Sequence, residues 1–134
     1  MNLRPLVLAS QSIKLRCDTL RVYLPKQGQQ QLAVSELVYL RSEGNYTWLF
    51  WTNGQQTLLP RTLKYVEAKL PANAFVRLHR HHTVNSSHVV GVCQKVTGLV
   101  VRLSNGQSLV VARRRRSQIL KQFQSLYERL ENRP

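Results

Sequence analysis

LVVRLSNGQSLVVARRRR, Leu99 to Arg116, is the stretch that decides the fold. Two apolar runs, LVVRL and SLVVA, flank Asn105-Gly106. Because Asn-Gly tolerates the positive φ angles of a type I′ turn, the stretch predicts a two-stranded hairpin. Working outward, Asn53-Gly54 after NYTWLFW predicts a second hairpin, and Gly28 in YLPKQGQQQLAV suggests a third. Strands are expected at about 20–24, 31–34, 37–41, 45–52, 55–59, 75–78, 82–84, 88–94, 99–104 and 107–112. The chain reads as mainly β, with short connections.

Two segments read as helix. At about 61–70, in RTLKYVEAKL, the apolar residues Leu59, Leu63, Val66 and Leu70 recur at helical spacing. Thr62 can cap that helix and Pro71 ends it, so it is expected to cover a sheet. A C-terminal helix is expected at about 115–130, with a stripe of Ile119, Leu120, Phe123, Leu126, Tyr127 and Leu130. The stripe must bury itself on its own domain or on a second subunit.

Twenty Lys and Arg against six Asp and Glu give a formal net charge of +14, which points to a polyanionic partner. Residues 1–60 hold six basic and three acidic side chains, whereas 61–134 hold fourteen and three, so the partner is expected to meet the second half. Four arginines, Arg113 to Arg116, stand between a strand and a helix, where cations at the positive end of the helix dipole call for compensation. Phosphates would supply it. In FVRLHRHHTVN, Val76, Leu78 and Val84 read as a core-facing strand, yet Arg77, His79, Arg80, His81 and His82 crowd the same residues. A segment built only for packing would not carry that load.

The six carboxylates stand singly and no serine or cysteine lies in a nucleophile motif, so the chain is not expected to be an enzyme. His79, His81, His82 and His88 raise a metal site, but coordinating partners are missing, and no metal or other cofactor is expected. Cys17 and Cys93 read as reduced thiols. The run Leu6 to Ala9 is too short for a signal peptide, and no stretch approaches the roughly 20 apolar residues of a membrane span. The expected location is the cytoplasm, without a membrane partner.

Taken in order, LVYLRSEGNYTWLFWTNGQ (37–55), RTLKYVEAKLPANAFVRLHRHHTVN (61–85) and VTGLVVRLSNGQSLVVARRR (96–115) resemble the LytTR family of bacterial DNA-binding domains. With the leading YLPKQGQQQLAVSEL the likeness covers about 20–123, leaving 1–19 as an extension and 124–134 as the end of the last helix and a tail. The resemblance implies several small antiparallel β-sheets packed together, with loops entering successive major grooves of duplex DNA. It implies contacts from Asn45, Tyr46 and Thr47, from His79 and Arg80, and from Arg113. Arg77, His81, Arg114, Arg115 and Arg116 join them on charge and position. The family pattern has Ser where this chain has His81 and Ser again where it has Ala112.

The function expected is sequence-specific duplex DNA binding by a bacterial transcriptional regulator. The alternative is a basic module for RNA or an acidic protein. A second copy on DNA is expected, since LytTR-like domains are expected to read paired sites. Residues 1–19 are too few for a phospho-acceptor receiver domain, so the expectation is a stand-alone regulator or one informed by an unidentified signalling partner. Protonation of histidines near phosphates is expected to raise affinity as pH falls from about 8 to 6.

Overall fold

The computed structural model describes residues 19–24 and 28–128. Most of the expected N-terminal extension, Cys17, Leu130 and the tail from 129 lie outside the described residues. In chain order the strands are β1 (Thr19–Leu24), β2 (Gly28–Ala33), β3 (Leu37–Glu43), β4 (Tyr46–Trp51) and β5 (Gln56–Leu59). Helix α1 (Leu63–Glu67) leads into β6 (Phe75–His79), β7 (His82–Asn85), β8 (Val89–Lys95), β9 (Gly98–Leu103) and β10 (Ser108–Val110). Helix α2 (Arg116–Gln122) and a two-residue strand β11 (Tyr127–Glu128) follow. The expected mainly β architecture, with several small sheets and two short helices, is what the chain forms.

β1 and β2 make a hairpin with Leu24 opposite Gly28. A five-stranded sheet runs β5-β4-β3-β7-β6 and a four-stranded sheet runs β10-β9-β8-β11. Alternation along the strands gives the five-stranded sheet two apolar faces. One face sets Leu40, Leu49 and Leu59 against Leu63, Val66 and Leu70 of the α1 segment, joined by Leu32 and Val34. The other sets Tyr39, Val76, Leu78 and Val84 against Val92, Leu99, Val101 and Leu103 of the second sheet, closed by Ile119 and Phe123. Thr62 caps α1 as its spacing predicts, its Oγ1 accepting from the Tyr65 amide at 3.2 Å. Asn85 is buried between β7 and β3. Its amide donates to the Leu37 carbonyl at 2.8 Å and its Oδ1 accepts from the Ser87 amide at 3.0 Å, which leaves a buried polar group satisfied.

Two expectations need correction. Neither Asn-Gly pair forms a type I′ turn, because no described residue other than glycine has positive φ. Instead Thr52-Asn53-Gly54 and Ser104-Asn105-Gly106 are three-residue loops, closed by Trp51 with Gln55 and by Leu103 with Gln107. In each, only the glycine takes the left-handed region, at φ +88° for Gly54 and +92° for Gly106. The asparagine side chains serve otherwise, accepting from the amides of Gln55 at 2.9 Å and Gln107 at 3.0 Å. Two-residue turns occur elsewhere, among them Gly44-Asn45 between the paired Glu43 and Tyr46, with Gly44 at φ +63°.

The C-terminal helix is the second correction. It stops at Gln122, where Phe123 takes φ −115° and ψ 31°, and the chain then adds β11 in parallel to the edge of β8. Bonding to an open strand edge competes with helix continuation. Glu128 reinforces the strand by accepting from Arg102 Nη2 at 2.7 Å across Gly91, where a Cβ would lie 2.8 Å from the Glu128 carboxylate. Within the expected stripe, Ile119 and Phe123 are buried, while Leu120, Leu126 and Tyr127 pack against the same core.

Candidate nucleic-acid interface

Three segments far apart in sequence meet at one end of the five-stranded sheet. The β3–β4 turn carries Asn45 and the exposed Tyr46. The β6–β7 turn, with His79, Arg80, His81 and His82, lies next to it because β7 pairs with β3, Arg41 opposite His82. The Ser42 amide donates to the His81 carbonyl at 2.9 Å, and Ser42 Oγ shares a 2.9 Å hydrogen bond with His81 Nδ1. On the far side, the Ala112 amide donates to the Leu78 carbonyl at 2.8 Å, which sets Arg113 beside His79 and Arg80. The result is a ridge of loop residues drawn from two hairpins and a strand end.

Arg77 does not extend into solvent. Its Nη1 donates to Glu67 Oε1 at 2.9 Å, its Nε to the His79 carbonyl at 3.0 Å and its Nη2 to the Arg80 carbonyl at 2.9 Å. Glu67 is fixed in turn by the Thr83 hydroxyl. The guanidinium is therefore a clamp on the loop that presents Arg80. Thr47 is likewise internal, fully buried with its Oγ1 donating to the Arg61 carbonyl at 2.8 Å. It positions Arg61 and cannot itself touch a ligand. His88 lies just before β8, hydrogen-bonded to Ser104 Oγ at 2.7 Å and the Ser35 carbonyl at 2.8 Å, and not to the other histidines.

Of the arginine run, Arg113 and Arg114 are exposed, and Arg115 and Arg116 are half-buried. Arg113 to Arg115 form a 3-10 turn leading into α2, with no acidic residue in the first turn of either. Arg116 packs back on the domain. Its Nε is sealed from solvent without a hydrogen-bond partner, and its Nη2 lies 3.1 Å from where a Cβ on Gly98 would stand.

The histidines form a cluster with centroids 5.5 Å apart for His79 and His81 and 5.9 Å for His79 and His82. Burial, with His79, Arg41 and His81 adding repulsion, pulls His82 down to about 4. His79 is lowered by burial, then by His81, Arg80 and Arg77. Neutral rings among fixed cations suit hydrogen bonding. The His79 Nδ1 already accepts from the His81 amide at 3.2 Å. Among the described residues no group of three or more His, Cys, Asp or Glu is placed to hold a metal ion.

Arg41 and Arg61 were not singled out in the sequence. Arg41 sits over the Phe50 ring at 5.2 Å, which itself stacks on Tyr39 at 4.3 Å. Arg61 follows β5 at the same end of the sheet, held there by Thr47. A basic residue just before a turn or just after a strand was the available signal, and both residues carry it. Trp51 is buried as its apolar run suggests, while Trp48, Phe50 and Phe75 are half-buried. Among the described residues no helix is long and apolar enough to cross a membrane.

Nothing among curated sequences matches the chain. A solved structure, the LytTr DNA-binding domain of a protein described as a methyl-accepting/DNA response regulator from Bacillus cereus, superposes with a TM-score of 0.62. The two share 20% identity, over 89% of this chain and 96% of that one, a likeness that speaks to the fold. The sequence model of the LytTr DNA-binding domain matches residues 28–124, from the second strand of the leading hairpin to the end of α2 and so across the whole basic ridge. A match of that extent, on residues that build both sheets and all three loops, makes the chain a member of the LytTR family of DNA-binding domains.

Proposed function

We propose that this chain is a sequence-specific duplex-DNA-binding transcriptional regulator of the cytoplasm, which sets its loops into the major groove and works as a pair of copies on DNA. The observation that carries the reading is the convergence of Asn45, Arg80 and Arg113 on one sheet end, enforced by the Ser42–His81 and Ala112–Leu78 hydrogen bonds. A ridge of short, backbone-anchored loops can enter a groove about 12 Å wide without a recognition helix. Arg80 and Arg113 are the readers of base edges, by the fork of donors that matches guanine O6 and N7. Arg114 and Arg115 contact phosphates and fix register. Asn45 and Tyr46 meet the adjoining strand.

Selection of bound duplexes from a random pool, followed by salt titration, tests the proposal. A defined motif should emerge, and affinity should fall with a log–log slope of about −0.9 for each phosphate neutralised. RNA that competes as well as the selected duplex at moderate salt would leave instead a basic binding module without duplex specificity.

A further inference from the structure

The outer side of α1 carries an arrangement that lies outside the three loops. Arg61 Cζ and Lys69 Nζ each lie 5.2 Å from the centre of the Tyr65 ring, which is 46% exposed. Lys64 is exposed on the same short helix. The ion pairs among the described residues are Arg77–Glu67 and Arg102–Glu128, so none of these three cations is paired with a described carboxylate. The one acid of α1, Glu67, is turned to the sheet by Arg77 and Thr83. Two like charges held on one ring, with a third nearby, repel one another, and a polyanion removes the repulsion.

Position supplies the second argument. Thr47 ties Arg61 to the first residues of β4, beside the Gly44-Asn45 turn. Glu67 ties the other end of α1 to Thr83 and Arg77, behind the His79–Arg80 loop. Helix α1 therefore runs along the loop-bearing end of the sheet. From β5 to β6 that end crosses four inter-strand gaps, about 19 Å at roughly 4.8 Å each. A body of that width laid across a groove of about 12 Å overhangs onto the flanking backbone.

We infer that Arg61, Lys64 and Lys69, gathered around Tyr65, form a phosphodiester-binding shoulder that grips the DNA backbone beside the groove. The shoulder rests on the duplex-DNA reading and extends it to a site that carries affinity without base preference. The aromatic ring holds the two outer cations at a fixed spacing, so they meet the backbone already placed.

The double variant R61Q/K69Q, titrated with salt on the selected duplex and on a scrambled one, tests it. The log–log slope is expected to shrink by about 1.8, two phosphates at about 0.9 each. Affinity should fall by the same factor on both duplexes, with the preferred motif unchanged and the melting temperature that of the wild type. K64Q/K69Q, which leaves Arg61 and its carbonyl contact alone, should give a similar loss and serves if the first pair fails to fold. An unchanged slope in these variants, beside a wild type that binds duplex DNA normally, removes the shoulder and leaves the loop reading intact. A loss confined to the selected duplex also overturns it, since it would make these residues readers. A wild type with no salt-dependent duplex binding removes both.

Discussion

The Ala112 amide donates to the Leu78 carbonyl across 2.8 Å and so joins the chain just beyond β10, an edge strand of one sheet, to β6, an edge strand of the other. Arg113 is the next residue, and His79 the next on the partner strand. A single backbone bond thus decides which arginine of the run stands beside the β6–β7 loop.

Arg113→Ala and Arg80→Ala are each expected to flatten preference at one base position, a loss of about 1–3 kcal/mol on the selected site and far less on scrambled DNA. Arg115→Ala should weaken both duplexes alike. Competition binding against a panel of single-base variants measures the difference. Equal losses on both duplexes for Arg80 and Arg113 would place the readout elsewhere.

Arg77→Met is expected to act through the loop it clamps. Its loss takes the guanidinium donor from the carbonyls of His79 and Arg80 and leaves Glu67 with the Thr83 hydroxyl. Stability should drop by about 1–3 kcal/mol in denaturant titration. Discrimination between selected and scrambled DNA should narrow while the salt slope stays as in the wild type. A slope smaller by about 0.9 would make Arg77 a phosphate contact after all.

His82 gives a pH dependence of stability with a defined sign. Its folded-state value of about 4 lies below the ordinary 6.5, chiefly through burial. Between those values the unfolded chain takes up a proton that the folded domain refuses. Stability is therefore full above about pH 6.5 and falls as pH drops toward 4, by about 1–2 kcal/mol for this half-buried ring. His82→Gln should flatten that limb in urea melts taken across the range. His79 is lowered too, first by burial and then by His81, Arg80 and Arg77, so folding disfavours the charged form of both rings. The acid-driven gain in affinity expected from the sequence should then be small between pH 8 and about 6.5, as fluorescence anisotropy would show.

Selected sites should contain two copies of the motif, about 10 base pairs from centre to centre, if two copies bind one face of the duplex. Leu126 packs against the domain's own core, so Leu126→Asp is expected to lower the melting temperature. Sedimentation of the complex and thermal melts separate the outcomes. A folded Leu126→Asp protein that has lost only cooperative binding would make this segment the contact between copies.

Most of the architecture was legible because strand alternation and turn residues are local signals. Leu63, Val66 and Thr62 announced α1 by spacing and capping alone. The turn type was not legible, since Asn-Gly suits both a two-residue and a three-residue loop and strand register chooses between them. The end of the last helix was hidden for a similar reason. The spacing from Ile119 to Tyr127 is helical, but the open edge of β8 and the reach of Arg102 to Glu128 are set by residues distant in sequence. At the interface, charge and the family likeness located the loops. They did not separate Arg80, which is exposed, from Arg77, whose Nε, Nη1 and Nη2 each donate to a group of the domain itself. That difference depends on Glu67, which the sequence places on another element.

The five-stranded sheet has an apolar cluster on each face, and β3 contributes to both, Leu37 and Leu40 to one and Val38 and Tyr39 to the other. A partition shared by two cores cannot persist when either is lost. Melting of the α1 side strips one face from the strands that the second sheet packs against on the other. The domain should therefore lose its structure in one cooperative transition, with tryptophan fluorescence from Trp51 and far-ultraviolet dichroism tracing the same curve.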